Sequence, residues 1–268
     1  MATQPKLSPV ADPPVGTKLS ASDAKAMVDA LYNRMYERWD QKVTRGRFMT
    51  DLKQGGLPME AIKLFWKNWS YFVFEVNNIA ACSYQRQIGF LKRHPELLAS
   101  LGAKIADELM HPRPPGHVAI VLDQGKAFGL SELDMTDCQM LPECRALLEW
   151  ARGMLYEGTF AEWWSWLACE EPIGYWARDW KEALAKHYGF SSDKTKYFQT
   201  HEEADLEVHE GGLLGHGEVN RTGLQKVLED GLFYMRPGYT LEYCAFTSVD
   251  YLAMFFDAPY KIVRGEYD

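Results

Sequence analysis

Long apolar runs, paired cysteines and basic blocks are all missing from this sequence. No stretch approaches the roughly 20 consecutive apolar residues that span a bilayer, so no membrane partner is expected. Cysteine is scarce: Cys82, Cys138, Cys144, Cys169 and Cys244 are odd in number, scattered and free of any CxxC pair. That excludes a disulfide framework and a thiolate zinc site. Basic charge is also short. Lys and Arg total 29 against 37 Asp and Glu, a net charge of −8. An acidic chain without a basic block does not suit a phosphate backbone, so no nucleic-acid partner is expected. The segment MATQPKLSPVADPPVGTKLS has no apolar core of signal-peptide type. It reads as a disordered leader over residues 1–19, whose removal is expected to be almost silent. Residues 20–268 read as one cytoplasmic domain, long enough at this size for a sizeable core. GxSxG elbows, Walker loops and GxGxxG after a strand are absent too.

What is present is helical periodicity. Ser22 can cap a helix carrying Ala26, Met27, Ala30, Leu31, Met35 and Trp39 at three- and four-residue steps. Gly55-Gly56 break the chain, and Pro58 precedes an interior helix over Met59 to about Tyr84, apolar on most sides. A third helix starts near Pro95, the prolines of HPRPPGH interrupt it, and helix resumes until Gly129. Aromatic-rich helix follows over Glu143 to about Tyr188, broken near Glu171-Pro172. Further helices cover Ser192–Glu210, Arg221–Leu232 and Leu241–Phe256. No period-2 alternation of any length appears. The chain reads as all-α.

Several residues could carry chemistry. His201, Asp205 and His209 stand at i, i+4 and i+8 on one helix, which at about 100° per residue places them on one face. Imidazoles and a carboxylate so placed suit a non-haem metal. The alternative is a solvated polar stripe, since Glu202, Glu203, Glu207 and Glu210 are interleaved. Glu108 is followed by His111 and His117, and a Glu-x-x-His pair occurs in di-metal bundles. Glu157 lies among Met154, Leu155, Phe160, Trp163 and Trp164, where an unpaired carboxylate would cost several kcal/mol; an ion pair with Arg152, or an exposed stripe with Glu162, are the other readings. Glu75 poses the same question, with Asn77 or Asn78 as partner. Gly211, Gly212, Gly215 and Gly217 around His216 read as a mobile loop. A cysteine nucleophile stays open, although buried structural Cys is the commoner fate.

The order of four segments resembles the haem-oxygenase-like superfamily, which contains TenA thiaminases, PqqC and di-iron oxidases and oxygenases. The segments are IKLFWKNWSYFVFEV, Glu108…HVAIVLDQGKAFGL, LYEGTFAEW and YFQTHEEADLEVH. Together the resemblance spans roughly residues 20–260 and implies a single-domain haem-oxygenase-like helical bundle. Carried over position by position, the metal-dependent branch implies the ligand set Glu108, His117, Glu157, His201, Asp205 and His209. His117 fits the family spacing to Gly129 better than His111 does, and the last spacing is one residue longer than the family's His-x3-Asp-x2-His.

The same resemblance implies two Fe(II) ions, or a manganese–iron pair, with O2 as co-substrate. It further implies oxidation of a small molecule by N-oxygenation or oxidative C–C cleavage in natural-product biosynthesis, a homodimer, and an external electron donor of unspecified kind. An amino-acid-derived substrate is favoured, with Arg86, Arg152 or Arg178 holding its carboxylate. Two rivals stand beside this: a metal-free TenA- or PqqC-like enzyme using His and Glu in acid–base chemistry, and a non-catalytic helical interaction module.

Overall fold

Residues 8–206 and 213–266 are described by a computed structural model, and every extended regular element among them is helical. Helix α1 (Ala21–Trp39) is capped by the Ser20 hydroxyl, which accepts from Asp23 N–H, and runs into a π-helical turn at Asp40–Thr44. Then come α2 (Arg47–Gln54), ended by Gly55 at φ 75°, and α3 (Met59–Val76). The interior helix expected through Tyr84 stops at Asn77, and α4 (Ile79–Leu91) starts anew. The Asn77 amide donates to the Glu108 carbonyl at 3.2 Å, drawing the end of α3 onto the next helix, α5 (Pro95–Leu109).

The proline run ends α5 as expected, and α6 (His117–Ala127) follows. A short α7 (Glu132–Thr136) precedes α8 (Pro142–Glu157), α9 (Phe160–Trp166) and α10 (Glu170–His187). The aromatic stretch is therefore broken at Gly158 and at Leu167–Cys169, while Pro172 sits in the first turn of α10, where its missing N–H costs nothing. The last helices are α11 (Lys196–Leu206), α12 (His216–Glu229) and α13 (Leu241–Val263).

One hydrophobic core joins them. Its centre is Phe65 of α3, stacked on Phe256 of α13 at 5.2 Å and on Trp180 of α10 at 5.4 Å. Trp180 in turn lies parallel to Phe198 of α11 at 5.2 Å, and Trp69 meets Trp176 at 5.3 Å. Helix α12 closes on α9 only because residue 223 is glycine: a Cβ there would stand 2.5 Å from the Trp164 ring. Among the described residues no helix is long and apolar enough to cross a membrane.

Residues 8–19 are not detached from this body. Val10 N–H donates to Glu242 at 2.7 Å, Asp12 accepts from Leu241 N–H, and Pro13 is buried. The N–H groups of Gly16 and Leu19 donate to the carbonyls of Phe233 and Leu228. The leader lacks a periodic apolar face because it docks through its backbone, which periodicity does not register.

Two outcomes follow from this packing. Gly223→Ala should destabilise by about 1–3 kcal/mol in urea unfolding, the usual cost of overpacking a core. Deleting residues 1–18 should lower the melting temperature by about 5 °C or more: a part-buried hydrogen bond contributes about 1 kcal/mol, and each kcal/mol corresponds to about 2–4 °C at this size.

Candidate metal centre

The polar residues of interest meet where α5, α6, α11 and α12 pack. Glu108 comes from the last turn of α5 and His117 from the first residue of α6. The chain between them must turn back tightly. Gly116 permits this, with φ 67° and a backbone so close to α5 that a Cβ would fall 2.1 Å from the Glu108 carbonyl oxygen. His117 Nδ1 consequently lies 3.2 Å from Glu108 Oε2. His111 is exposed on the same connection.

From α11, His201 and Asp205 arrive one turn apart, as the helical spacing predicts. The His201 ring lies 4.6 Å from that of His117 and 4.1 Å from that of Tyr197. Its Nδ1–H donates to the Tyr197 carbonyl at 3.0 Å, so Nε2 is the nitrogen left to accept. Asp205 is buried and faces His216, the first residue of α12, with Oδ1 3.4 Å from Nδ1. The same Nδ1 is 4.0 Å from Glu108 Oε1, and His216 Nε2 is 3.5 Å from Asp107. His209 lies outside the described residues.

The electrostatics follow from burial and pairing. Burial pushes the Glu108 carboxyl up, but the charge and hydrogen bond of His117 outweigh it and hold the group at about 2. Burial alone would lower His117; Glu108 reverses that and raises it. His201, buried beside His117, falls to about 3. Burial raises Asp205, and for His216 the hydrogen bonds to Asp107 and Asp205 overcome burial and lift it to about 9.

Glu108, His117, His201 and Asp205 form the polar end of a cavity of about 110 Å3 whose remaining wall includes Trp69, Phe72, Val73, Leu147, Trp166 and Leu252. Tyr197 lies at the junction, its hydroxyl accepting from Trp69 Nε1 at 2.7 Å. Lys104 and Glu170 also line the cavity and are ion-paired, with Asn220 donating to the same Glu170 oxygen at 2.6 Å.

Other expected site residues stand elsewhere. Glu157 ends α8, its side chain is 73% exposed, and it pairs with Arg236 at 3.0 Å. The aromatic residues after it belong to α9, a separate helix with its own inward face, so the apolar neighbourhood in sequence is not one in space. Glu170 is the cavity carboxylate from this part of the chain. Arg152 pairs with Glu75, Arg86 donates to the carbonyls of Leu155 and Gly158, and Arg178 pairs with Glu202; none of the three lines the cavity. Cys169 does line it, but burial pushes its thiol up to about 12, unsuited to a nucleophile.

Among the described residues no group of three or more of these side chains is already drawn around one cation position. The donor chemistry nonetheless fits a metal. Two carboxylates and three imidazoles are what iron takes. Their separations of 3.2, 3.4 and 4.0 Å match the roughly 3–4 Å between donors that each stand about 2.1 Å from a common ion.

With the geometry in view, the fold can be stated: the chain has the haem-oxygenase-like fold. A TenA homologue from Pseudomonas syringae pv. tomato superposes with a TM-score of 0.67 at 16% identity, over 96% of this chain and 98% of that one. A domain of unknown function with a heme oxygenase-like fold from Shewanella denitrificans gives 0.63 at 13%, over 88% and 93%. A TenA homologue from P. horikoshii gives 0.58 at 17%, over 87% and 97%. No family model matches the sequence, and no curated protein does.

Glu157, which the sequence points to, and Glu170, which lines the cavity, should separate cleanly. Glu157→Ala removes an exposed pair and should change stability by no more than about 1 kcal/mol. Lys104→Ala leaves the Glu170 carboxylate half-buried without its cation and should cost about 3–5 kcal/mol in chemical denaturation.

Proposed function

We propose that this protein is an O2-dependent non-haem di-iron oxidase or oxygenase acting on a small molecule. The observation that carries this reading is the gathering of Glu108, Asp205, His117 and His201 at one end of an apolar cavity, with His216 set against Asp205. Glu108, His117, His201 and Asp205 would hold the metal, and Glu170 stands within the same cavity to join them. Ferrous iron bound there would supply the electrons that reduce O2.

The chain's own residues prepare this chemistry. The Tyr197 carbonyl fixes the His201 tautomer so that Nε2 is presented. Trp69 orients the Tyr197 hydroxyl beside the cluster. The apolar wall lowers the effective dielectric at the polar end, which strengthens the electrostatic interactions there. The three arginines stand outside the cavity; among its described lining residues Lys104 carries the positive charge, paired with Glu170, and a substrate carboxylate would meet it by sharing that pair. An amino-acid-derived substrate with an apolar side chain suits both ends, oxidised by N-oxygenation or C–C cleavage.

A metal-free acid–base enzyme is the second reading. The contact of Glu108 with His117 favours it, because the carboxylate holds the imidazole charged and so able to give a proton. Anaerobic titration with Fe(II), followed by mixing with O2, separates the two. Uptake of two ions per chain and a transient visible absorbance, both lost in Asp205→Ala with unchanged circular dichroism, are expected. Absence of specific iron uptake would leave the acid–base enzyme standing.

A further inference from the structure

We propose that His216 is itself a metal ligand, through Nδ1, and that Asp107 is the positioning residue that holds its ring from outside. This rests on the metal-binding reading above and adds a ligand that helical spacing within α11 does not supply. The two ring nitrogens face different groups. Nδ1 points at Asp205 Oδ1, 3.4 Å away, and Glu108 Oε1, 4.0 Å away, both at the cavity end. Nε2 points the other way, to Asp107 Oδ2 at 3.5 Å, on a side chain that is 30% exposed. A ligating imidazole ordinarily gives its second N–H to a carboxylate or carbonyl, which fixes tautomer and orientation. Asp107 is placed to do for His216 what the Tyr197 carbonyl does for His201.

The ring is also locked in place. His216 is 2% exposed at the start of α12, a helix that packs on α5 and α11. Gly217 next to it is obligatory, since a Cβ there would meet the Glu171 side chain at 2.8 Å. The described histidines outside this cluster stand elsewhere: His94 pairs with Asp230, and His111 and His187 are exposed. The cation site would then draw ligands from α5, α6, α11 and α12 together.

Co(II) is the probe, titrated anaerobically into the purified full-length protein and followed by visible absorption and equilibrium dialysis. His216→Gln should lower affinity for at least one bound ion ten-fold or more, and Asp107→Asn should lower it by about 10–100-fold, the usual effect of removing an outer partner. His216→Cys should add a near-ultraviolet thiolate-to-cobalt charge-transfer band above the wild-type spectrum, which His94→Cys should not show. Should the His216 variants fail to fold by circular dichroism, Asp107→Asn and its effect on Co(II) affinity decide the matter. Unchanged affinity and stoichiometry in a folded His216→Gln or in Asp107→Asn would overturn the proposal, as would Co(II) binding by His216→Cys without the band. No uptake by the wild type would overturn the metal-binding reading as well, so the two failures are distinct.

Discussion

A carboxylate cannot be buried alone, and this protein's centre is organised around that constraint. Removing an ionised group from water costs several kcal/mol even after relaxation, so each inward carboxylate must bring a partner from another helix. Glu108 of α5 takes His117 of α6, Asp205 of α11 takes His216 of α12, and Glu170 of α10 takes Lys104 of α5. These pairings tie α5, α6, α10, α11 and α12 together at the polar end of the cavity. The same pairings set protonation. Burial and partner act in opposite directions at Glu108, His117 and His216, and the partner prevails; at His201, where the neighbour is another imidazole, both act in the same direction.

Much of the fold was legible in the sequence because it is written in punctuation. Gly55 ends α2 at the expected break and the prolines after Met110 end α5, while the cap expected at Ser22 falls two residues earlier, at Ser20. The break at Asn77 was not legible, since the side chain that draws that helix end away answers to the Glu108 carbonyl, a tertiary partner. Residues 8–19 escaped for a similar reason: backbone hydrogen bonds to loops leave no apolar period.

The site divides the same way. His201 and Asp205 are placed by helical geometry alone, and Glu108 with His117 follow from family-like order. Glu157 misled because apolar residues on both sides of it belong to two helices separated at Gly158. His216 was hidden among glycines, which read as a mobile loop although Gly217 is there to let α12 reach Glu171. The only sequence signal for it was an imidazole immediately after a glycine at a helix start, which is too common to single out. Lys104 and Glu170 carry no sequence signal of their own, since their pairing spans two helices.

The wall of the cavity and the heart of the core are the same set of rings. Trp69 faces the cavity while resting on Phe65 and Trp176, which in turn rest on Trp180, Phe198 and Phe256. Close-packed interiors transmit volume changes instead of absorbing them. A ring exchanged at Phe256 or Trp180 would therefore reshape the chamber without touching anything inside it. Evolution can retune what this protein accepts from the far side of its own core, leaving the charged end untouched.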